Sequence, residues 1–243
     1  MNLHDYLKHR SRINKNTSIY RDLCRKCLQP DFGCFCKDII SFDPEIQFVI
    51  LIHPIENRRR IATGRLSHLC LNGSRLILGQ NYTSNKTVND LVENPDFYPV
   101  ILYPGETATN LTALSCKQRA SLFPKNKKLT IFVIDGTWAT AKKTLRKSKN
   151  LSSLPRICFT PNSPSSFRAR QQPTAECVST VEAIHQTIEL LGPACGFDTL
   201  SRKQDILLST FDKMVEMKLS LIQENRKSGR LNRRRVTKPL ASA

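Results

Sequence analysis

The stretch Leu129-Thr130-Ile131-Phe132-Val133-Ile134-Asp135-Gly136-Thr137-Trp138 decides how the rest of the chain is read. Its first six residues are mostly apolar and do not alternate, the pattern of a strand buried on both faces of a parallel sheet. The run stops abruptly at a carboxylate, a glycine, a hydroxyl and the only tryptophan of the chain. Open α/β sheets bind ligands in the crevice beyond the carboxyl ends of their strands. Asp135 therefore stands where an acid can serve chemistry. It also stands just before a helix expected to begin near Ala139, where Asp and Thr serve as caps. Both readings are open on sequence alone.

Outward from this segment, strand and helix patterns alternate. Continuous apolar strands are expected at 46–52, closed by His53-Pro54, and at 99–103, closed by Pro104-Gly105. Shorter strands fall at 75–78 and 156–159. Helical spacing runs over 58–71 through Ile61, Leu66, Leu69 and Cys70, and Asn72-Gly73 ends it. Further helices are expected over 87–93, 111–122, 139–150 and 181–191, with a long amphipathic one over 202–225. Strands separated by helices indicate an α/β fold with a mostly parallel sheet. A lone histidine such as His53 more often satisfies a local hydrogen bond than catalyses.

Composition narrows the function. With 38 Lys and Arg against 20 Asp and Glu, the chain carries a formal charge of +18, which points to a polyanionic partner such as nucleic acid. No apolar run approaches a membrane span, and the start of the chain lacks the basic-then-apolar pattern of a signal peptide. A cytoplasmic protein without membrane contact is expected. Its nine cysteines then read as thiols or metal ligands, not as a disulfide framework.

Four of them form the cluster Cys24-x2-Cys27-x6-Cys34-x-Cys36, with Pro30 and Gly33 supplying the loop between the pairs. Tetrahedral zinc takes four thiolates, and a Cys-x2-Cys turn presents two sulfurs to one ion. Such a site has no open position, so its role is structural; free or redox-active thiols are the alternative reading. Cys70, Cys158 and Cys177 sit among apolar residues and read as core thiols. The expected organisation is an N-terminal segment with the zinc module (1–40), one catalytic domain (41–225) and a basic tail (226–243). That tail holds seven basic residues and no acidic one. The chain contains no G-x-G-x-x-G after a strand, no P-loop, no H-E-x-x-H and no nucleophile elbow. Dinucleotide binding, phosphoryl transfer and serine hydrolysis lose their main sequence support.

Asp135-Gly136-Thr137-Trp138 resembles the D-x-T-W signature of the DTW-domain family, the tRNA-uridine aminocarboxypropyltransferases. The four-cysteine cluster lies where many members of that family carry theirs. His53-Pro54-Ile55-Glu56 with Thr63-Gly64-Arg65-Leu66, Tyr103-Pro104-Gly105, Phe167-Arg168-Ala169-Arg170 and Ser179-Thr180-Val181-Glu182-Ala183 are similar to further blocks of the family. Ala62 and Phe167 stand where asparagine and tyrosine are expected.

The resemblance implies a sheet of the SPOUT-like, trefoil-knotted type and S-adenosylmethionine (SAM) as donor. It implies transfer of the 3-amino-3-carboxypropyl group to N3 of a tRNA uridine, with release of methylthioadenosine. Asp135 becomes the expected general base for the N3 proton. Thr137 would orient it or bond the cofactor, and Trp138 would stack on a base, face the sulfonium, or pack as a core aromatic. Arg170 suits the methionine carboxylate. Ser179, Thr180 and Glu182, at a helix start that can receive an anion, and Tyr103, Pro104 and Gly105 complete the expected cofactor site. Glu182 equally suits the helix dipole. Arg58, Arg59, Arg65, Lys142, Lys143, Arg146, Arg233, Arg234 and Arg235 are the candidate contacts to tRNA phosphates. A homodimer is compatible with the resemblance, although no heptad or clear apolar patch indicates one. A SAM-dependent RNA methyltransferase and a non-enzymatic zinc-bearing RNA-binding protein are the rival functions.

The acid-free tail yields a first test. Contacts to phosphate release counterions, so tRNA affinity should fall steeply with salt. Deleting residues 226–243 should weaken binding and flatten the dependence of log K on log salt, measured by filter binding. An unchanged slope would show that the tail does not touch RNA.

Overall fold

The computed structural model describes residues 23–57, 59, 61–168, 174 and 177–227. The anticipated tail residues Arg233, Arg234 and Arg235, together with Arg58 and Arg170, lie outside this set. Within it, six strands form one sheet in which every pairing is parallel. They are β1 (Gln47–Ile52), β2 (Arg75–Leu78), β3 (Phe97–Leu102), β4 (Thr109–Asn110), β5 (Lys128–Asp135) and β6 (Arg156–Cys158). Their order across the sheet is β2-β1-β5-β3-β6-β4.

The helices that flank the sheet are α1 (Pro54–Asn57), α2 (Thr63–Cys70), α3 (Lys86–Glu93), α4 (Cys116–Ala120), α5 (Trp138–Lys147), α6 (Lys149–Ser152), α7 (Thr180–Cys195) and α8 (Ile206–Lys227). Most lie near the positions that apolar spacing predicts. Two expected helices differ in extent. The helix expected over 58–71 is shortened to α2, with α1 preceding it at Pro54–Asn57, and that over 139–150 divides into α5 and α6, which meet at Ser148. The two-residue strand β4 has no apolar run and was not expected.

The central strands are buried on both faces because side chains alternate across a strand. Phe48, Ile50, Ile131 and Val133 point into one core with residues of α2, α7 and α8, among them Leu66, Ile184, Ile188 and Phe211. Val49, Leu51, Phe132 and Ile134 point into a second core with Val88, Leu91, Leu145 and Leu151. The cysteine-rich segment is packed onto the first of these cores through Cys27 and Phe35. Phe42 binds it further, pairing with Leu71 in a bridge and tilting against Phe197 with ring centroids 5.6 Å apart.

Register positions the carboxyl end of β5. Ile52 of β1 pairs with Asp135, whereas β3 ends at Leu102 opposite Val133. Beyond Leu102 the Tyr103 amide donates to the Ile157 carbonyl of β6 at 3.0 Å, and a space opens beside the last residues of β5. No helix among the described residues is long and apolar enough to cross a membrane.

Candidate active site

A cavity of about 570 Å³ occupies that space. Its walls come from the carboxyl ends of β3, β5 and β6 and the chain beyond them: Leu102, Tyr103, Pro104, Val133, Ile134, Gly136, Thr137, Trp138, Cys158, Phe159 and Thr160. The opposite side is supplied by Phe167, Thr174, Cys177, Val178, Ser179, Thr180 and Ala183, and Thr63 reaches in from α2. Residues spread over more than a hundred positions of sequence meet here because all the strands point the same way.

Asp135 is buried and does not itself line the cavity. Thr180 donates a hydrogen bond to its Oδ1 at 2.6 Å, and Thr63 donates to the same oxygen at 3.1 Å. These threonines are the first residues of α7 and α2. Two helix N-termini, each the positive end of a dipole, therefore converge on one carboxylate. Ala62, at the cap of α2, offers no side-chain cap, and Asp135 is bonded at that helix start through Thr63. Gly64 permits the approach, since a Cβ there would lie 2.7 Å from Asp135 Oδ2 and 2.9 Å from Ile50 Cγ2.

Asp135 is not the cap of the following helix. Thr137 takes that role, its hydroxyl accepting from the Thr140 amide at 3.1 Å. Gly136 keeps the turn tight, because a Cβ at that position would meet Thr140 Oγ1 at 2.6 Å. Trp138 stands at the rim, 38% exposed, with its ring centroid 6.1 Å from that of Tyr103. It is therefore not a core aromatic.

Three expected site residues lie elsewhere. Glu182 does not line the cavity: its carboxylate accepts from the Ser179 and Ser166 amides, each at 2.6 Å, and from the Ser165 hydroxyl at 2.7 Å. It completes the capping box of α7 and ties the 165–166 loop to the helix start. Gly105 lies outside the cavity wall, in the turn where its carbonyl accepts from Ala108. Arg65 was expected at the RNA surface, but it is 6% exposed and bonds the Asn57 side chain and carbonyl. Burial lowers its pKa, and the charges of Cys27 and Asp135 partly offset the loss. A guanidinium held there serves the interior, not phosphate.

Lys142, Lys143 and Arg146 are exposed along α5, whose N-terminus carries Trp138, and Arg59 is exposed beside Glu56 at 3.3 Å. His53 is buried and caps α1, its Nδ1 accepting from the Ile55 amide at 3.2 Å. Residue patterns did not single out Thr63, Phe159 or Thr160 as cavity residues. Thr63 alone had a signal, since it opens one of the family-like blocks.

The four N-terminal cysteines come together as their spacing predicts. All four sulfurs lie within 4.8 Å of one another, with Cys24–Cys36 and Cys27–Cys34 both at 3.6 Å. Tetrahedral zinc with Zn–S bonds of about 2.3 Å places its sulfurs about 3.8 Å apart, so the cluster fits the ion. The separations are far beyond a disulfide bond. The Cys27 and Lys26 amides bring Cys24 down to about 6, while burial and the neighbouring sulfurs push Cys36 up.

A parallel α/β protein with a cavity beyond its strand ends and a four-sulfur cluster is the class these features define. A match to the DTW domain spans residues 21–219, and the chain belongs to that family. It is 30% identical over 195 residues to tRNA-uridine aminocarboxypropyltransferase 2 of Mus musculus, covering 78% of this chain and 63% of that protein. It is 29% identical over 179 residues to the Drosophila melanogaster protein of the same name, covering 70% and 67%. The Macaca fascicularis protein of that name is 26% identical over 175 residues, covering 70% and 57%. The matched region thus spans between 57% and 67% of these relatives' length. No solved structure matches the chain.

The close approach at Gly64 is testable. Gly64→Ala should force the start of α2 away from Asp135 and cost about 1–3 kcal/mol, as overpacking does. Urea denaturation measures it; a midpoint equal to that of the parent would mean that the helix start yields freely.

Proposed function

We propose that this protein is a SAM-dependent tRNA-uridine aminocarboxypropyltransferase, joining the 3-amino-3-carboxypropyl group to N3 of a uridine. The observation that carries this reading is a cavity whose walls are built from the family's own segments, Tyr103-Pro104, Gly136-Thr137-Trp138 and Ser179-Thr180. The names of the relatives supply the reaction class. SAM supplies a carbon activated by a positively charged sulfur. A cavity of about 570 Å³ with apolar, aromatic and hydroxyl walls fits a nucleoside-sized ligand.

In this reading Tyr103, Pro104, Ser179 and Thr180 hold the donor, and the family resemblance assigns the donor carboxylate to Arg170, which lies outside the described residues. Trp138 at the rim offers a face on which a nucleobase can stack. Asp135 takes the uridine proton. The basic face of α5, with Lys142, Lys143 and Arg146, leads tRNA phosphates toward Trp138. Cys24, Cys27, Cys34 and Cys36 hold a structural zinc ion in a reducing cytoplasm. Family resemblance also favours the SPOUT-like, knotted type for the sheet.

Incubation with SAM and unmodified tRNA, followed by nucleoside mass spectrometry, tests the reaction. Methylthioadenosine with an aminocarboxypropyl-uridine is expected; S-adenosylhomocysteine with a methylated base would identify a methyltransferase instead. Metal analysis should find about one zinc per chain, and Cys24→Ser should lower both zinc content and thermal midpoint. A metal-free protein of full stability would remove the zinc assignment.

A further inference from the structure

The floor of the cavity poses a problem for direct base catalysis. Asp135 is 3% exposed and does not line the cavity, whereas Thr180 and Thr63, which both bond it, do. A threonine hydroxyl carries one proton. Once that proton is donated to Asp135, the oxygen presents only lone pairs to the cavity. The floor therefore offers two fixed acceptors backed by a carboxylate. Such a floor disfavours anions and receives an N–H donor, and the N3–H of a uracil ring is a donor of that kind.

We propose that Thr180 is the residue that meets the uridine N3–H and relays its proton to Asp135. The inference rests on the transferase reading above. The relay accounts for every atom: N3 gives its proton to Thr180 Oγ1, and the Thr180 hydroxyl proton passes to Asp135 Oδ1. N3 bonds to the donor carbon as that carbon's bond to sulfur breaks, the electron pair leaving with the sulfur. Asp135 then releases its proton through the same hydroxyl to water, and the net proton lost is that of N3.

Thr180 is the carrier and Thr63 the orienting partner, because the Thr180 bond is 2.6 Å and the Thr63 bond 3.1 Å. A short hydrogen bond to an ionised oxygen is the stronger one. Thr180 also opens α7, and its cap Ser179 is locked by the Glu182 carboxylate at 2.6 Å. The hydroxyl is thus held by a helix start that cannot easily turn away. Glu182 acts here through Ser179 and is a positioning residue.

The test compares Thr180→Val, Thr180→Ser and Thr63→Val in the full-length protein. For each, calorimetric SAM binding, tRNA binding, thermal midpoint and single-turnover transfer are measured. At saturating SAM, so that any weakening of donor binding by loss of the hydroxyl is removed, Thr180→Val should bind tRNA within about threefold of the parent but lose about a hundredfold or more in transfer, the scale of a lost proton acceptor. Thr180→Ser, which keeps the hydroxyl, should recover most of the rate. The parent's rate in mixed light and heavy water should curve in the way that two protons moving together require, and Thr180→Val should lose that curvature.

Equal losses from Thr63→Val and Thr180→Val would assign both hydroxyls to holding the carboxylate and overturn the relay. So would a parent rate that varies linearly with heavy-water content. If Thr180→Val fails to fold, the Thr180→Ser rate and the parent's heavy-water curve decide alone. A parent that makes no aminocarboxypropyl-uridine would refute the transferase reading and the relay with it. A productive parent with a fully active Thr180→Val would refute the relay only.

Discussion

One buried carboxylate receives two helix starts. Asp135 ends the central strand β5, and the first residues of α2 and α7 both donate to its Oδ1. A charge removed from water is costly unless it is paired and hydrogen-bonded. Here two hydroxyl donors and two helix N-termini contribute to meeting that need. The same contacts set where α2 and α7 begin relative to the sheet, and therefore where the cavity floor lies. Gly64 belongs to this constraint, because a larger residue would separate α2 from the carboxylate.

The remainder of the cavity follows from shorter-range rules. Thr137 starts α5 through an N-cap, which lifts Trp138 to the rim beside Tyr103. Ser179 and Glu182 start α7 through a capping box, and Glu182 spends its spare acceptor capacity on the 165–166 loop. That loop leads to Phe167, which packs edge-on against Phe211 with centroids 5.1 Å apart. The wall opposite the strand ends is thus held by one carboxylate and one aromatic pair.

The cysteine cluster is not an isolated appendage in energetic terms. Cys27 and Phe35 share a core with Phe48, Leu66 and Ile184. Arg65, one residue beyond Gly64, is buried where the charges of both Cys27 and Asp135 reach it. A buried guanidinium needs nearby anionic groups, and the Asp135 carboxylate is one. The cysteine segment and α2 are therefore connected through this shared core, which includes Leu66 and Cys70 of the helix.

Much was legible in the chain. Apolar runs without alternation located the central strands, because a strand covered on both faces has no polar side to display. Cysteine spacing located the four-sulfur cluster, and the D-x-T-W and S-T-V-E-A segments located two walls of the cavity. These are local signals. Sequence left the burial of Arg65 unseen and two roles open for Glu182, because a charged side chain looks the same in sequence whether it meets water or a buried partner. Thr63 carries no local signal of its role, since its partner lies 72 residues away, and that of Thr180 lies 45 away. The sequence by itself determined the strands, the helix caps and the supply of sulfur and charge, which depend on neighbours within a turn or two. Only the tertiary structure decided that Asp135 lies beneath two threonine hydroxyls instead of facing the cavity. That outcome depends on how β1, β5 and the starts of α2 and α7 pack together, and no local pattern records it.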